Sequence, residues 1–462
     1  MRVAVVGAGL AGLAAAHFLR REAARRDIRL DLAVYEASAR AGGRIRTVED
    51  HGYRIECAAN GVQGDDGAAA RLVKDLGLAG ERVKASPGAA RRYLACRGSL
   101  HLLPTSPPAL LSFGAISPRA RLRVLAEPIV ARRVAREETV LKFASRHVGE
   151  EAARALAGAA VRGIFAGDAA KLSLDSAFPL MREMERKHRS LFLAMSHAKK
   201  QLGGRGLWSL RAGMGGLVRA LADSTEARLR LNAPVLSIER TDESQRAGDS
   251  QWTGEGKPPG WRIRLASGER TEADAVIVTT PPKAAAALFR QLEPEIARRL
   301  STIESAGVAV VALAFLPQAF RSKPDGYGFL VAPGEDLEIL GAVFESNLFP
   351  ERAPKGRILV RAMMGGVDRP ELLARTDAEL VALAMKALDR TLGLAIGPER
   401  TWVIRQEESI PQYVLGHRSL VGSIASGLDA LPGLYVTGNA YRGVSVGSVI
   451  EDAARVATRA LS

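Results

Sequence analysis

The chain has 462 residues, 47% of them hydrophobic and 25% charged, with a formal net charge of +15. That length supports two or three domains around a large buried core, and the balance is ordinary for a soluble globular protein. No apolar run reaches the roughly 20 residues of a spanning helix. Nor do the two cysteines (Cys57, Cys96) and seven histidines show metal-ligand spacing, so neither an integral membrane protein nor a metal site is expected.

Residues 2–6 read as a short apolar strand, 7–12 as a tight turn, 13–25 as an Ala-rich helix and 30–36 as a second strand, which together make a βαβ unit. The start, MRVAVVGAGLAGLAAA, has this glycine pattern where a signal peptide would have a cleavage site, and the sparse cysteines suit a reducing compartment. From 104 to 201 the text is helical, with turns near Ser117-Pro118, at Gly149 and over 163–167, and with an apolar PPALLSF segment at 107–113. GMGGLVRALAD then predicts a turn and a helix, APVLSIER a strand, and the Gly/Pro-rich stretch 241–260 a long hairpin loop. The text 261–282 reads as two strands; 308–315, 326–331, 339–344 and 357–363 add four more. LYVTGNAYRGVSVGSVIEDAARVATRAL closes the chain as strand, turn and helix.

The charge is local. Of 65 basic and 50 acidic residues, 24 and 9 lie between Arg82 and Arg211, leaving 41 of each sign elsewhere. Such a segment suits an anionic partner. No aromatic-interleaved basic sheet or groove-reading motif is present, so nucleic acid is not expected.

Gly7, Gly9 and Gly12, with Leu10 and Ala11 between them, match GxGxxG in the required place: after a strand and opening a helix. Glycines let backbone approach a pyrophosphate that the helix N-terminus stabilises, and Glu36, ending the second strand, is positioned for a ribose hydroxyl. Both NAD and FAD use such a cradle. The following run, YEASARAGGRIRT, resembles the second motif of the FAD-dependent amine oxidase superfamily, which implies that Ala37, Gly42, Gly43 and Arg44 lie against FAD. LYVTGN and the last helix resemble that superfamily's closing segment, implying Gly438, Asn439, Val444 and Val446 as further FAD contacts. Val235 in APVLSIER and Thr280 in VIVTTPP are added on the same resemblance.

Within the superfamily, RGIFAGDAAKLSLDSAFP resembles the GxxAGDxxxLSxxxxFP segment of the oxygen-dependent protoporphyrinogen oxidase family. REETVLKFASRHVGEE, SLRAGMGGLVRAL, GAVFESNLFPERAP, IPQYVLGH and GNAYRGVSVG match in the same order, so the resemblance covers essentially the whole chain. It implies an α/β fold with a discontinuous Rossmann-like FAD domain (1–80, 206–290, 425–462), a mixed-sheet substrate domain (81–103, 291–424) and an all-helical membrane-docking insert (104–205). It also implies a tetrapyrrole substrate held by Arg92, with Arg91 as substitute, beside Gly163, Phe329, Leu330 and a stacking Phe344. The expected reaction is oxidation of protoporphyrinogen IX in haem biosynthesis, in three two-electron hydride transfers to the flavin N5. Oxygen is the acceptor, peroxide is formed, and no side chain acts as a catalytic base.

The resemblance further implies the cytoplasmic face of the cell membrane as location, and it admits a homodimer. Alternatives are coproporphyrinogen III as substrate, an amine-oxidase-like enzyme, or a non-catalytic flavin-binding scaffold. Residues 308–316 lack the Lys that amine oxidases hold near the flavin, which weakens the second of these. One departure stands out: Ala58-Ala59 replaces the family's Gly-Pro after Glu56, changing backbone freedom beside the flavin.

Overall fold

Strand Arg2–Val6 is buried at four consecutive positions because it is the middle strand of a sheet covered on both faces. The computed structural model describes residues 1–194, 206–225, 228–241 and 260–462. That sheet is parallel throughout, in the order Leu229–Arg230, Asp31–Tyr35, Arg2–Val6, Ala275–Val278, Leu434–Val436. Val3 and Val5 pack on one side with helices Leu10–Arg25, Met214–Thr225 and Val446–Ala460; Ala4 and Val6 pack on the other with Trp261, Phe289 and Ile424. The first helix starts at Leu10 rather than 13, so Gly12 lies in its first turn.

The text 261–282 forms three strands, not two: Trp261–Leu265, Arg270–Ala273 and Ala275–Val278. The first two join Val235–Arg240 in an antiparallel sheet, and the third enters the parallel one. Asp274 marks the switch, its carboxylate accepting the Arg2 N–H at 2.6 Å. The expected hairpin loop lies outside the described residues except at its two ends, where the flanking strands pair antiparallel.

A seven-stranded sheet runs Arg400–Pro411, Ser305–Phe315, Ile358–Gly365, Gly341–Phe344, Gly328–Val331, Arg92–Cys96, Ser99–Leu102. Every pair is antiparallel except Gly328–Val331 with Arg92–Cys96. Its long edge strand, Arg400–Pro411, escapes the sequence reading because charged residues and half-exposed positions blur its alternation.

Helices occupy 107–188, four of them opened by a side-chain cap from Ser106, Ser117, Thr139 or Ser173. Several of the basic side chains here are internal wiring. His147 is fully buried between Glu127 (2.7 Å) and Glu185 (3.2 Å), while Arg146 and Arg182 pair with Glu138, Glu185 and Asp175. Arg123 caps the carbonyls of Arg146 and His147, both at 2.8 Å. Among the described residues no helix is long and apolar enough to cross a membrane, and no group of His, Cys, Asp and Glu could hold a metal ion.

Candidate active site

A cavity of about 1070 Å³ opens between the carboxyl ends of the parallel strands and one face of the seven-stranded sheet. On the first side the strand Arg2–Val6 runs out at Gly7 (φ +104°), where a Cβ would stand 2.8 Å from Thr279 Oγ1. Gly9 faces open space, so its missing side chain is room in the cavity. Gly12 does not line the cavity; a Cβ there would meet the Gly7 carbonyl oxygen at 1.9 Å. Gly42 also lies behind the wall, at φ +110°, donating its N–H to Ala8 O at 2.7 Å and so setting Gly43 against Gly9.

Leu10, Ala11, Glu36, Ala37, Gly43, Arg44, Val235, Thr280, Gly438, Asn439, Val444 and Val446 all line the cavity. The Glu36 carboxylate accepts the Ala8 N–H at 2.8 Å and the Ser38 hydroxyl at 2.8 Å. Arg44 donates to the Glu408 carbonyl, and its burial pulls the guanidinium below its ordinary pKa. Three wall residues hold buried polar atoms without a protein partner: Thr280 Oγ1, Asn60 Nδ2 and Tyr441 OH. A cradle that a Cβ would fill, an acidic strand end and orphaned hydrogen-bonding groups fit a dinucleotide.

The sheet side is organised by strand alternation. Arg92, Gly328, Val343 and Arg361 are register partners across four strands, and all four line the cavity. Leu330, Gly341, Met363 and Val310 form the next row. Phe344 is therefore corrected: it points the other way, 1% exposed, into a core with helix Asp377–Leu392, and Val343 takes the wall. Phe329 lines the cavity as expected and also packs in that same core, its ring edge-on to Phe344 with centroids 6.2 Å apart.

Arg92 is exposed at the end of its strand, its guanidinium 4.9 Å from the Tyr327 ring centre, with no carboxylate partner among the described residues. Arg91, the substitute, is committed to Asp325 at 2.5 Å and lies off the wall. Gly163 lines the cavity from helix Gly158–Phe165, where a Cβ would meet Leu330 Cδ2 at 2.4 Å. Its absent side chain thus lets the helix sit on the sheet floor. Phe165 is a core plug, 1% exposed against Phe178 and Tyr413. The sequence reading passed over Arg361, Met363, Tyr327, Asn60 and Tyr441; a polar residue inside an apolar strand was the one available sign for Arg361.

The model of the flavin containing amine oxidoreductases matches residues 10–461. The chain belongs to that family. This amine oxidoreductase-family protein is 30% identical to the coproporphyrinogen III oxidase of Bacillus subtilis over 100% of its own length and 98% of the relative's. It is 34% identical to the protoporphyrinogen oxidase of Bos taurus, covering 99% and 98%. Its fold matches that of a protein of Exiguobacterium sp. 255-15 assigned as a protoporphyrinogen oxidase (TM-score 0.82, 22% identity, 99% and 97% covered). It also matches UDP-galactopyranose mutase (TM-score 0.71, 14% identity, 100% and 93% covered), so fold alone does not choose the chemistry. The protein is an FAD-dependent oxidoreductase with a mixed α/β fold of the amine oxidase type.

Beneath the FAD side, His417 stacks on Tyr413 at 4.1 Å between ring centres, and the Tyr413 hydroxyl donates to Asn439 O and accepts from Gly443 N–H. Burial pushes the imidazole down to about 4. Because that lies below the ordinary 6.5, the unfolded chain takes up this proton first. The contribution of neutral His417 is fully present above pH 6.5 and is lost as pH falls towards 4, on the order of 3 kcal/mol in all. Thermal unfolding of the wild type should fall over this window, and His417→Asn should flatten the fall.

Proposed function

We propose that this enzyme oxidises a porphyrinogen, with protoporphyrinogen IX as its substrate and O₂ as the terminal acceptor. The observation that carries the reading is the cavity floor. One unpaired guanidinium, Arg92, stands at its edge, followed by Gly328, Val343, Leu330 and Met363. A broad apolar surface with a cation at one end suits a flat macrocycle whose carboxylates sit on one side. FAD supplies, when bound, a two-electron hydride acceptor that O₂ can regenerate. The chain itself orients and dries the site: Glu36 is the only carboxylate among the lining residues, and it lies at the dinucleotide end. No lining residue near the floor is placed as a base, so pyrrole protons pass to solvent.

Aerobic gain of porphyrin fluorescence, measured side by side on protoporphyrinogen IX and coproporphyrinogen III, tests this. Preference for the first supports the reading. Preference for the second, which the full-length similarity to the Bacillus subtilis enzyme favours, would move the enzyme to the tetracarboxylate. Silence on both with FAD bound would defeat it.

The reading extends to an anionic membrane surface on the cytoplasmic side as docking partner of the helical region. Leu111, Leu122 and Ile129 are 53%, 64% and 81% exposed, and Arg119, on a helix, and Arg132 and Arg133, in the irregular segment that follows Val130, are exposed too. Exposed apolar side chains would insert while each nearby cation adds roughly 1 kcal/mol. The protein should float with anionic vesicles at physiological salt and not with neutral ones; no flotation at all would overturn this.

A further inference from the structure

We infer that Arg361 and Gln406 are positioning residues that tie the loop of residues 56–60 to the seven-stranded sheet, and so fix the spacing between the two halves of the cavity. The inference rests on the flavin reading only for what that loop faces. Arg361 projects from strand Ile358–Gly365 and is 3% exposed. Its Nη1 donates to Ala58 O at 2.7 Å and to Glu56 O at 3.3 Å, across 303 and 305 residues of sequence. Gln406, from the edge strand Arg400–Pro411 two places along the sheet, donates Nε2 to Cys57 O at 2.7 Å and to Arg44 O at 3.4 Å. Three consecutive carbonyls are thus gripped from the opposite side of the site.

The grip has a firm base at each end. Arg361 Nε donates to Glu345 at 2.7 Å, so its buried charge is matched. The Glu56 side chain is anchored in the dinucleotide half, accepting from Thr47 Oγ1 at 2.8 Å and Met214 N–H at 2.9 Å and pairing with Arg352 at 3.0 Å. Beyond it, Ala58, Ala59 and Asn60 line the cavity in irregular backbone. Neither alanine restricts φ as a proline would, so the orientation of this wall falls to side chains that reach it from outside. Arg361 also lies in the same register row as Arg92. The clamp therefore joins the dinucleotide wall to the strand row that bears the substrate-binding cation.

The test uses FAD-loaded protein and three variants: Gln406→Leu, the pair Arg361→Met with Glu345→Gln (which removes both buried charges together), and their combination. Hydrogen exchange of peptides covering 54–62 should accelerate at least tenfold in each of the first two. FAD should stay bound one to one, while its visible circular dichroism changes. On the accepted porphyrinogen, kcat should drop ten- to a hundredfold with KM within threefold. The combination should cost less than the product of the separate losses, since both grips serve one loop. Unchanged exchange over 54–62 would overturn the inference. So would a tenfold rise in KM at constant kcat, which would make Arg361 a direct carboxylate ligand. If the charge-pair variant does not fold, Gln406→Leu carries the same test. Exchange is read without substrate, so failure of the wild type to oxidise any porphyrinogen would count against the proposed function and not against the clamp.

Discussion

Gly12→Val should give a protein that purifies without flavin, its absorbance near 450 nm lost and its FAD affinity reduced by about a hundredfold or more, or ~3 kcal/mol. A Cβ at this position would stand 1.9 Å from the Gly7 carbonyl oxygen and 2.8 Å from Thr279 Oγ1. The first obstacle is backbone and cannot rotate away. Gly7 is itself fixed by its N–H bond to Tyr35 O at 2.7 Å and by Thr279 Oγ1, which donates to its carbonyl at 2.9 Å. Relief must come from lifting the first helix off the strand, which moves the N-terminus that would meet the pyrophosphate. Some fold stability should go with it, since overpacking typically costs about 1–3 kcal/mol. Gly9→Ala makes an instructive contrast. Apart from its chain neighbours no protein atom lies within 4 Å of that Cβ, so the fold should be untouched while the added methyl takes dinucleotide space. The ratio of 280 to 450 nm absorbance after gel filtration, with far-UV circular dichroism for the fold, reads both. Stoichiometric FAD in Gly12→Val would refute this account of the cradle.

The dinucleotide half was legible because its chemistry is written in contiguous text. A strand, three glycines, a helix and an acidic strand end occupy the first 36 residues, and the closing segment repeats the same logic at the other terminus. The substrate half was less legible for a physical reason. Its sheet is buried on both faces, one by helix Asp377–Leu392 and the other by the cavity, so GAVF and GFLV show no polar alternation to tell the faces apart. An aromatic in such a strand looks equally suited to either: Phe344 proved to serve the helix side alone, while Phe329 packs there and lines the cavity as well. Arg361 was hidden differently. Its carboxylate partner Glu345 is 16 positions away on another element, and the carbonyls it holds are some 300 positions away, so no local pattern announces it. The pairing inside the basic block was hidden in the same way: Arg146 and Arg182 are among its charges, and both are committed to buried carboxylates.

That same accounting of charges sharpens what Arg92 should do. Arg92 and Arg361 end a row of register partners three strand spacings apart, about 14 Å. One guanidinium is exposed and without a carboxylate; the other is buried and matched by Glu345. A ligand with carboxylates on one side gains a charge-assisted contact at Arg92 and rests its apolar side on the floor. A ligand with carboxylates all round must bring one towards an already neutralised pair, where desolvation is not repaid. Arg92→Met should therefore raise KM for protoporphyrinogen IX ten- to a hundredfold, matching the roughly 1.5–3 kcal/mol of a hydrogen bond to a charged group. Arg92→Lys should fall between, since a point charge replaces a planar fork. The effect should shrink as salt is raised, because the side chain is exposed. The dimethyl ester of the same porphyrinogen discriminates: with no carboxylate to anchor, wild type and Arg92→Met should handle it alike. Equal KM values for the free acid in both proteins would remove Arg92 from recognition, and an Arg92→Met defect that persists on the ester would make its role one of packing against Tyr327.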